Sequence, residues 1–159
     1  MLAFKVLGAL LMMGTGIAFG VTLSAFERRR CRQAEGFLVL LRHIKLQIDC
    51  FSLPVCRILT GCDGRILTDC GVESETLRDF SSLLDGTRLY VPEEFYRLLR
   101  EFGRQLGSSY REDQLRCCDY FLERLTPMCD KLRAELSKRE KMMLLLPPAL
   151  EAMLVLLFL

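Results

Sequence analysis

Eight cysteines and a single histidine, His43, are the side chains of this chain best suited to hold a metal or to do nucleophilic chemistry. A zinc knuckle or a dithiol redox centre needs two thiols with two residues between them, so that one turn of backbone presents both sulfurs together. No pair among Cys31, Cys50, Cys56, Cys62, Cys70, Cys117, Cys118 and Cys129 has that spacing. Several fall on apolar helix faces, where cysteine packs as a small hydrophobe. The group from Cys50 to Cys70 is the one that keeps a membrane-anchored metal or redox sensor as a rival reading. His43 stands beside a helix seam, a surface position, and no second base is placed against a Ser or Cys as nucleophilic catalysis requires. There is no Gly-rich phosphate loop with its lysine. Glu93, Glu94, Glu112 and Asp113 fall at helix starts, where the macrodipole favours an acid without any catalysis. The sequence therefore predicts no catalytic residue, no cofactor and no bound metal. Any energy source must come from a partner.

The 159 residues are 51% hydrophobic, high for one soluble domain, and the excess sits at the two ends. Residues 27 to 141 hold 21 of the 22 basic and 19 of the 20 acidic side chains. Their signs interleave closely and the net charge is only +2, so no basic block argues for nucleic acid.

From Val6 to Phe26 there are 21 residues without a charge, enough to cover roughly 30 Å of hydrocarbon as a helix. Ala18, Phe19 and Gly20 offer a small-residue cleavage site, so a signal peptide competes with a membrane anchor. Against cleavage, Arg28, Arg29, Arg30 and Arg32 follow directly, and such a cluster retains a segment with that flank in the cytoplasm. Gly16 and Gly20 form a small-xxx-small pair on which another membrane helix can pack. Met142 to Leu159 is a second apolar run, with Lys138, Arg139 and Lys141 on its inner flank. Its ten Leu, Val and Phe residues, at about −0.5 kcal/mol each, outweigh the cost of about 2.5 to 3.5 kcal/mol for Glu151. Glu151, at about the depth of Ile17, is expected at a helix-helix contact, protonated or hydrogen-bonded. Pro147 and Pro148 predict a kink there. Both termini then point outward and the middle faces the cytoplasm.

The middle reads as helix throughout. Ala34, Phe37, Leu41, Ile44 and Ile48 recur at spacings of three and four, the seam of a coiled-coil helix that Leu53 and Pro54 end or bend. Gly61, Asp63, Gly64 and Gly71 predict a turn-rich connection. Ser74 and Glu75 open a helix over Leu77, Phe80, Leu83 and Leu84, closed by Asp85 and Gly86. Pro92, Glu93 and Glu94 open another that buries Phe95, Leu99, Phe102 and Leu106, with Gly107 closing it and Ser108 or Ser109 capping the next. The longest seam is Leu115, Cys118, Leu122, Leu125, Cys129, Leu132 and Leu136, carried across Pro127 with a local kink. The predicted fold is all-α: an antiparallel helical bundle or coiled coil, residues 27–141, between an N-terminal membrane helix (1–26) and a C-terminal one (142–159).

The N-terminal stretch KVLGALLMMGTGIAFG, the segment LRHIKLQIDCFSLP, and LREFGRQLGSSYREDQ followed by a long heptad helix resemble the stage III sporulation protein AB family of endospore-forming bacteria. The family motif falls on Phe102, Gly103, Leu106 and Gly107, two apolar seam residues and two glycines, with Gln105, Asp113 and Gln114 beside it. The resemblance implies a non-enzymatic scaffold of the mother cell-to-forespore secretion or feeding channel. Its helical domain would be similar to the platform protein of type II secretion and type IV pilus machines, and a platform of such a machine outside sporulation is the alternative. Implied partners are the sporulation ATPase of the same operon, other membrane components of the channel and the lipid bilayer. Self-association stays open. The implied location is the membrane around the forespore, with the helical domain in the mother-cell cytoplasm. Arg104, Arg111, Glu112, Asp113 and Gln114, charged or polar residues near helix turns, are the candidate docking residues.

Overall fold

The computed structural model describes the backbone of residues 2–72, 79–107 and 110–158, and the side chains of residues 22, 24–72, 79–107 and 110–142. Among them the chain is all-helical, with α1 (Leu2–Phe51), α2 (Val55–Thr60), α3 (Gly64–Cys70), α4 (Phe80–Asp85), α5 (Glu93–Gln105) and α6 (Arg111–Phe158). The extended pairing described is a single antiparallel bridge between Val72 and Thr87. Two compact units divide the chain, one of residues 29–132, the other of residues 1–28 with 133–159.

Within residues 29–132, α1 is the central element. The predicted seam Ala34, Phe37, Leu41, Ile44 and Ile48 is buried, and so are Cys31, Gln33, Leu38 and Leu40. A helix covered around most of its circumference lies inside a bundle, whereas a coiled-coil partner buries one stripe. α1 ends at Phe51 as the sequence predicts, with Ser52 in the left-handed region (φ 50°) ahead of Pro54. The stretch read as a turn-rich connection folds instead into α2 and α3. Its glycines and Asp63 lie at helix ends: Gly61 closes α2, the Asp63 carboxylate caps α3 by accepting from Arg65 N–H, and Gly71 closes α3 at φ +82°.

Gln33 fixes how these short helices meet α1. Only 3% exposed, its side-chain amide donates to the carbonyls of Cys70 at 2.8 Å and Arg88 at 3.0 Å, while its Oε1 accepts from Tyr90 N–H at 2.6 Å. A β-carbon at Gly71 would stand 2.9 Å from the Gln33 Nε2, so glycine is required there both by its φ and by the amide beside it. At Gly36 a β-carbon would stand 2.8 Å from the backbone of Asp69, so α1 and α3 approach as closely as backbones allow.

The helix expected from Ser74 does not run on into Phe80. Asp79 is extended (φ −148°) and opens α4 with a capping box shared with Ser82, while Ser74, Glu75 and Leu77 lie outside the described residues. Accepting the Ser82 N–H holds the Asp79 carboxyl below its usual range. α4 ends at Asp85 and Gly86, and α5 starts after Pro92, both where predicted. α5 buries Phe95, Leu99 and Phe102, leaving Leu106 half-buried at its C-cap. Phe102 meets Phe80 of α4 edge-on at 5.1 Å and Phe121 of α6 at 5.5 Å, which makes it the junction of three helices. Here the predicted α6 seam needs correction. The buried stripe is Cys118, Phe121, Leu125, Cys129 and Leu132, and Leu122 is half-buried beside it, because Phe121 is the residue that reaches Phe102. α6 runs unbroken through Pro127. Lys45 and Asp49 of α1 pair with Asp119 and Arg111 of α6, so the two helices run antiparallel here.

In the other unit, Arg28 of α1 pairs with Glu140 of α6 at 2.8 Å and Glu27 with Arg139 at 3.5 Å. No helix among the described residues is long and apolar enough to cross a membrane. Nearly all of Val6–Phe26 and Met142–Leu159, and with them the side chains of Pro147, Pro148 and Glu151 and the residues Gly16 and Gly20, lie outside the residues whose side chains are described.

Gln33→Leu leaves two carbonyls and one N–H without partners in the core, and is expected to lower unfolding free energy by about 2 to 4 kcal/mol in denaturant titrations. Gly36→Ala pushes α3 off α1 and is expected to cost about 1 to 3 kcal/mol despite the better helix propensity of alanine. At Gly64 a β-carbon meets nothing within 4 Å, so Gly64→Ala is expected to be neutral or slightly stabilising in the same assay.

Candidate partner-binding end of the helical unit

One end of the unit of residues 29–132 collects the last turn of α1, the start of α2, the last turn of α5 and the first turn of α6. The final carbonyls of α1 have no partners within the helix. Arg111 adds donors to them: its Nε donates at 3.3 Å to the Ile48 carbonyl, which also accepts from Ser52 N–H at 3.2 Å, and one terminal nitrogen donates to the carbonyl and to the carboxylate of Asp49, each at 2.6 Å. A cation at a helix C-terminus also suits the macrodipole. Next to it, Gly107 takes φ +85° to turn the chain out of α5, and a β-carbon there would lie 3.7 Å from Val55 of α2. Cys117 and Gln105 meet at 3.6 Å, holding the start of α6 against the end of α5.

The predicted docking residues therefore divide. Arg104, Glu112 and Asp113 are exposed, with Asp113 paired to Arg116 within α6. Gln114 is half-buried. Arg111 is partly exposed but committed to the end of α1, so its first role is to position that helix end. Among the motif residues, Phe102 is fully buried at the three-helix junction. A β-carbon at Gly103 would stand 2.9 Å from the ring of Phe80, so this glycine lets α4 lie against α5. Sequence reasoning passed over two aromatics at this end: Tyr110, 88% exposed, and Phe51, 65% exposed. Both fall outside the seams, and an aromatic next to a polar turn, as in GSSY, was the available signal.

The thiols are divided between core and surface. Cys31, Cys70, Cys118 and Cys129 are buried, while Cys50 and Cys56 are exposed. Burial pushes the Cys70 thiol far up from its ordinary value and that of Cys118 up to about 12. These two stay protonated at neutral pH, which makes them packing groups and poor nucleophiles. Among the described residues no three His, Cys, Asp or Glu side chains stand together as a metal site.

The described residues thus form an all-helical body with thiols in its core and exposed aromatic and charged side chains at one end. The family described as stage III sporulation protein AB matches residues 5–159, and the chain belongs to that family. It is thus a sporulation protein. No curated protein and no solved structure matches the chain.

Alkylation of the native chain at neutral pH is expected to modify Cys50 and Cys56 and to spare Cys70 and Cys118 until denaturant is added, as mapped by peptide mass spectrometry. The raised Cys118 thiol gives an alkaline signature. Above an unfolded value near 9 the unfolded state loses the proton and the folded state keeps it until about 12, so stability falls across that window. Cys118→Ala is expected to flatten that fall.

Proposed function

We propose that this protein is a non-enzymatic membrane platform and adaptor of the sporulation secretion channel, docking a cytoplasmic ATPase through its helical unit. Residues 6–26 and 142–159 anchor it in the mother-cell membrane around the forespore. The observation that carries the reading is Tyr110, exposed beside a helix end whose backbone is fastened by Arg111. Tyrosines on rigid backbone are enriched among residues that dominate binding energy, since little freedom is lost when they are covered. Phe51 is exposed at the end of α1, and the exposed Arg104, Glu112 and Asp113 at the end of α5 and the start of α6 add charges of both signs that would set orientation and association rate. Family membership favours sporulation over a general secretion or pilus platform.

Binding of the full chain, in uncharged detergent, to the ATPase of the same operon tests this, with and without nucleotide. Saturable binding is expected, weakened tenfold or more by Tyr110→Ala, less by Glu112→Lys, and unchanged by Tyr96→Ala at the far end of α5. Reversing Arg111 is a poor probe because it also releases the end of α1. Unaltered binding by Tyr110→Ala, or none by the folded chain, overturns the reading.

A further inference from the structure

Between Tyr120 and Lys131 the outward face of α6 carries three rows of side chains, each repeating after seven residues, so that every row keeps its place on the helix. Tyr120 and Pro127 form the middle row. Glu123 and Asp130 run along one side of it and Arg124 and Lys131 along the other, because steps of three and of four residues fall on opposite flanks of a helical position. All six are exposed, while Phe121, Leu125 and Cys129 turn inward to the core. Tyr120 is 47% exposed, and the Arg124 guanidinium stands over its ring at 4.7 Å from the centroid. None of the four charges has an ion-pair partner among the described residues. Arg116, the next position of the acidic row toward the start of α6, is neutralised by Asp113.

We infer that this face of α6 pairs with the same face of a second copy of the chain. Charge chooses both the occupant and the arrangement. A face acidic along one side and basic along the other is complementary to itself under a two-fold rotation about an axis parallel to α6. The acidic row of each copy then meets the basic row of the other, with Glu123 beside the second Arg124 and Asp130 beside the second Lys131, and symmetry makes each pair twice. A two-fold axis running across the helix would set acid against acid and base against base. The two helices therefore run parallel, and Tyr120 and Pro127 meet their counterparts along the middle, where the rings supply apolar area between the rows of charge. Parallel pairing sets both copies the same way up, as the proposed anchoring requires, but the charge pattern selects it without the anchoring.

Sedimentation equilibrium of the full chain in density-matched uncharged detergent tests the pairing. A reversible monomer–dimer equilibrium is expected, since each exposed ion pair is worth up to about fivefold in affinity and the symmetric face makes several. Reversing the acidic row (Glu123→Lys with Asp130→Lys) or the basic row (Arg124→Glu with Lys131→Glu) is expected to weaken the dimer at least about tenfold. An equimolar mixture of the two variants is expected to recover dimers containing one copy of each, which also shows that both variants are folded. Chains that stay monomeric at every concentration, a dimer indifferent to both reversals, or a mixture that associates no better than either variant alone overturns the pairing.

Discussion

The buried amide of Gln33 is the constraint on which the rest of the helical unit depends. A primary amide in an apolar core is tolerated only when its donors and acceptor are matched, and here all three partners are backbone groups, one at the end of α3 and two just ahead of α5. Cys70, Arg88 and Tyr90 are far from Gln33 in sequence, so forming these bonds places the end of α3 and the segment leading into α5 on one side of α1. The angular position of α1 follows. With Gln33 turned to that connection, Gly36 faces α3, and the seam from Ala34 to Ile48 enters the core.

At the opposite end of the unit, Arg111 does for α1 what Gln33 does for the connection. It satisfies carbonyls that the helix leaves open and ties them to the first turn of α6. Between the two ends, Phe102 joins α4, α5 and α6 through edge-on ring contacts. A body fastened at both ends and packed in the middle holds its exposed side chains in fixed positions. Exposed aromatics and charges lie at one end, and packed thiols inside.

Much of this was legible, for identifiable reasons. Pro92 with Glu93 and Glu94 marks the start of α5 because ring geometry and macrodipole act locally, and the α1 seam is legible because period fixes face. The segment from Gly61 to Gly71 was misread since a short helix bounded by glycine looks like a turn. Phe121 was missed in favour of Leu122 because alternating threes and fours permit either, and only the position of Phe102 on another helix decides. Gln33 gave no signal at all, since a polar residue's value lies in partners distant in sequence. Arg111 was legible as a residue of the candidate site but not in its role, because its partners belong to the end of α1. The family motif was legible, and its residues take packing positions: Phe102 at the junction, Gly103 at a close approach, Gly107 at a turn.

The central claim is that α1 and the connection braced by Gln33 form one cooperative body. Amide hydrogen exchange of the full chain tests it most directly, comparing Tyr90 and Val72 with Leu40 and Leu41 of α1. The account predicts that all four exchange only through the same global opening, with matching free energies and matching denaturant dependence. Exchange of Tyr90 through a local opening, while Leu40 and Leu41 stay protected, would contradict it.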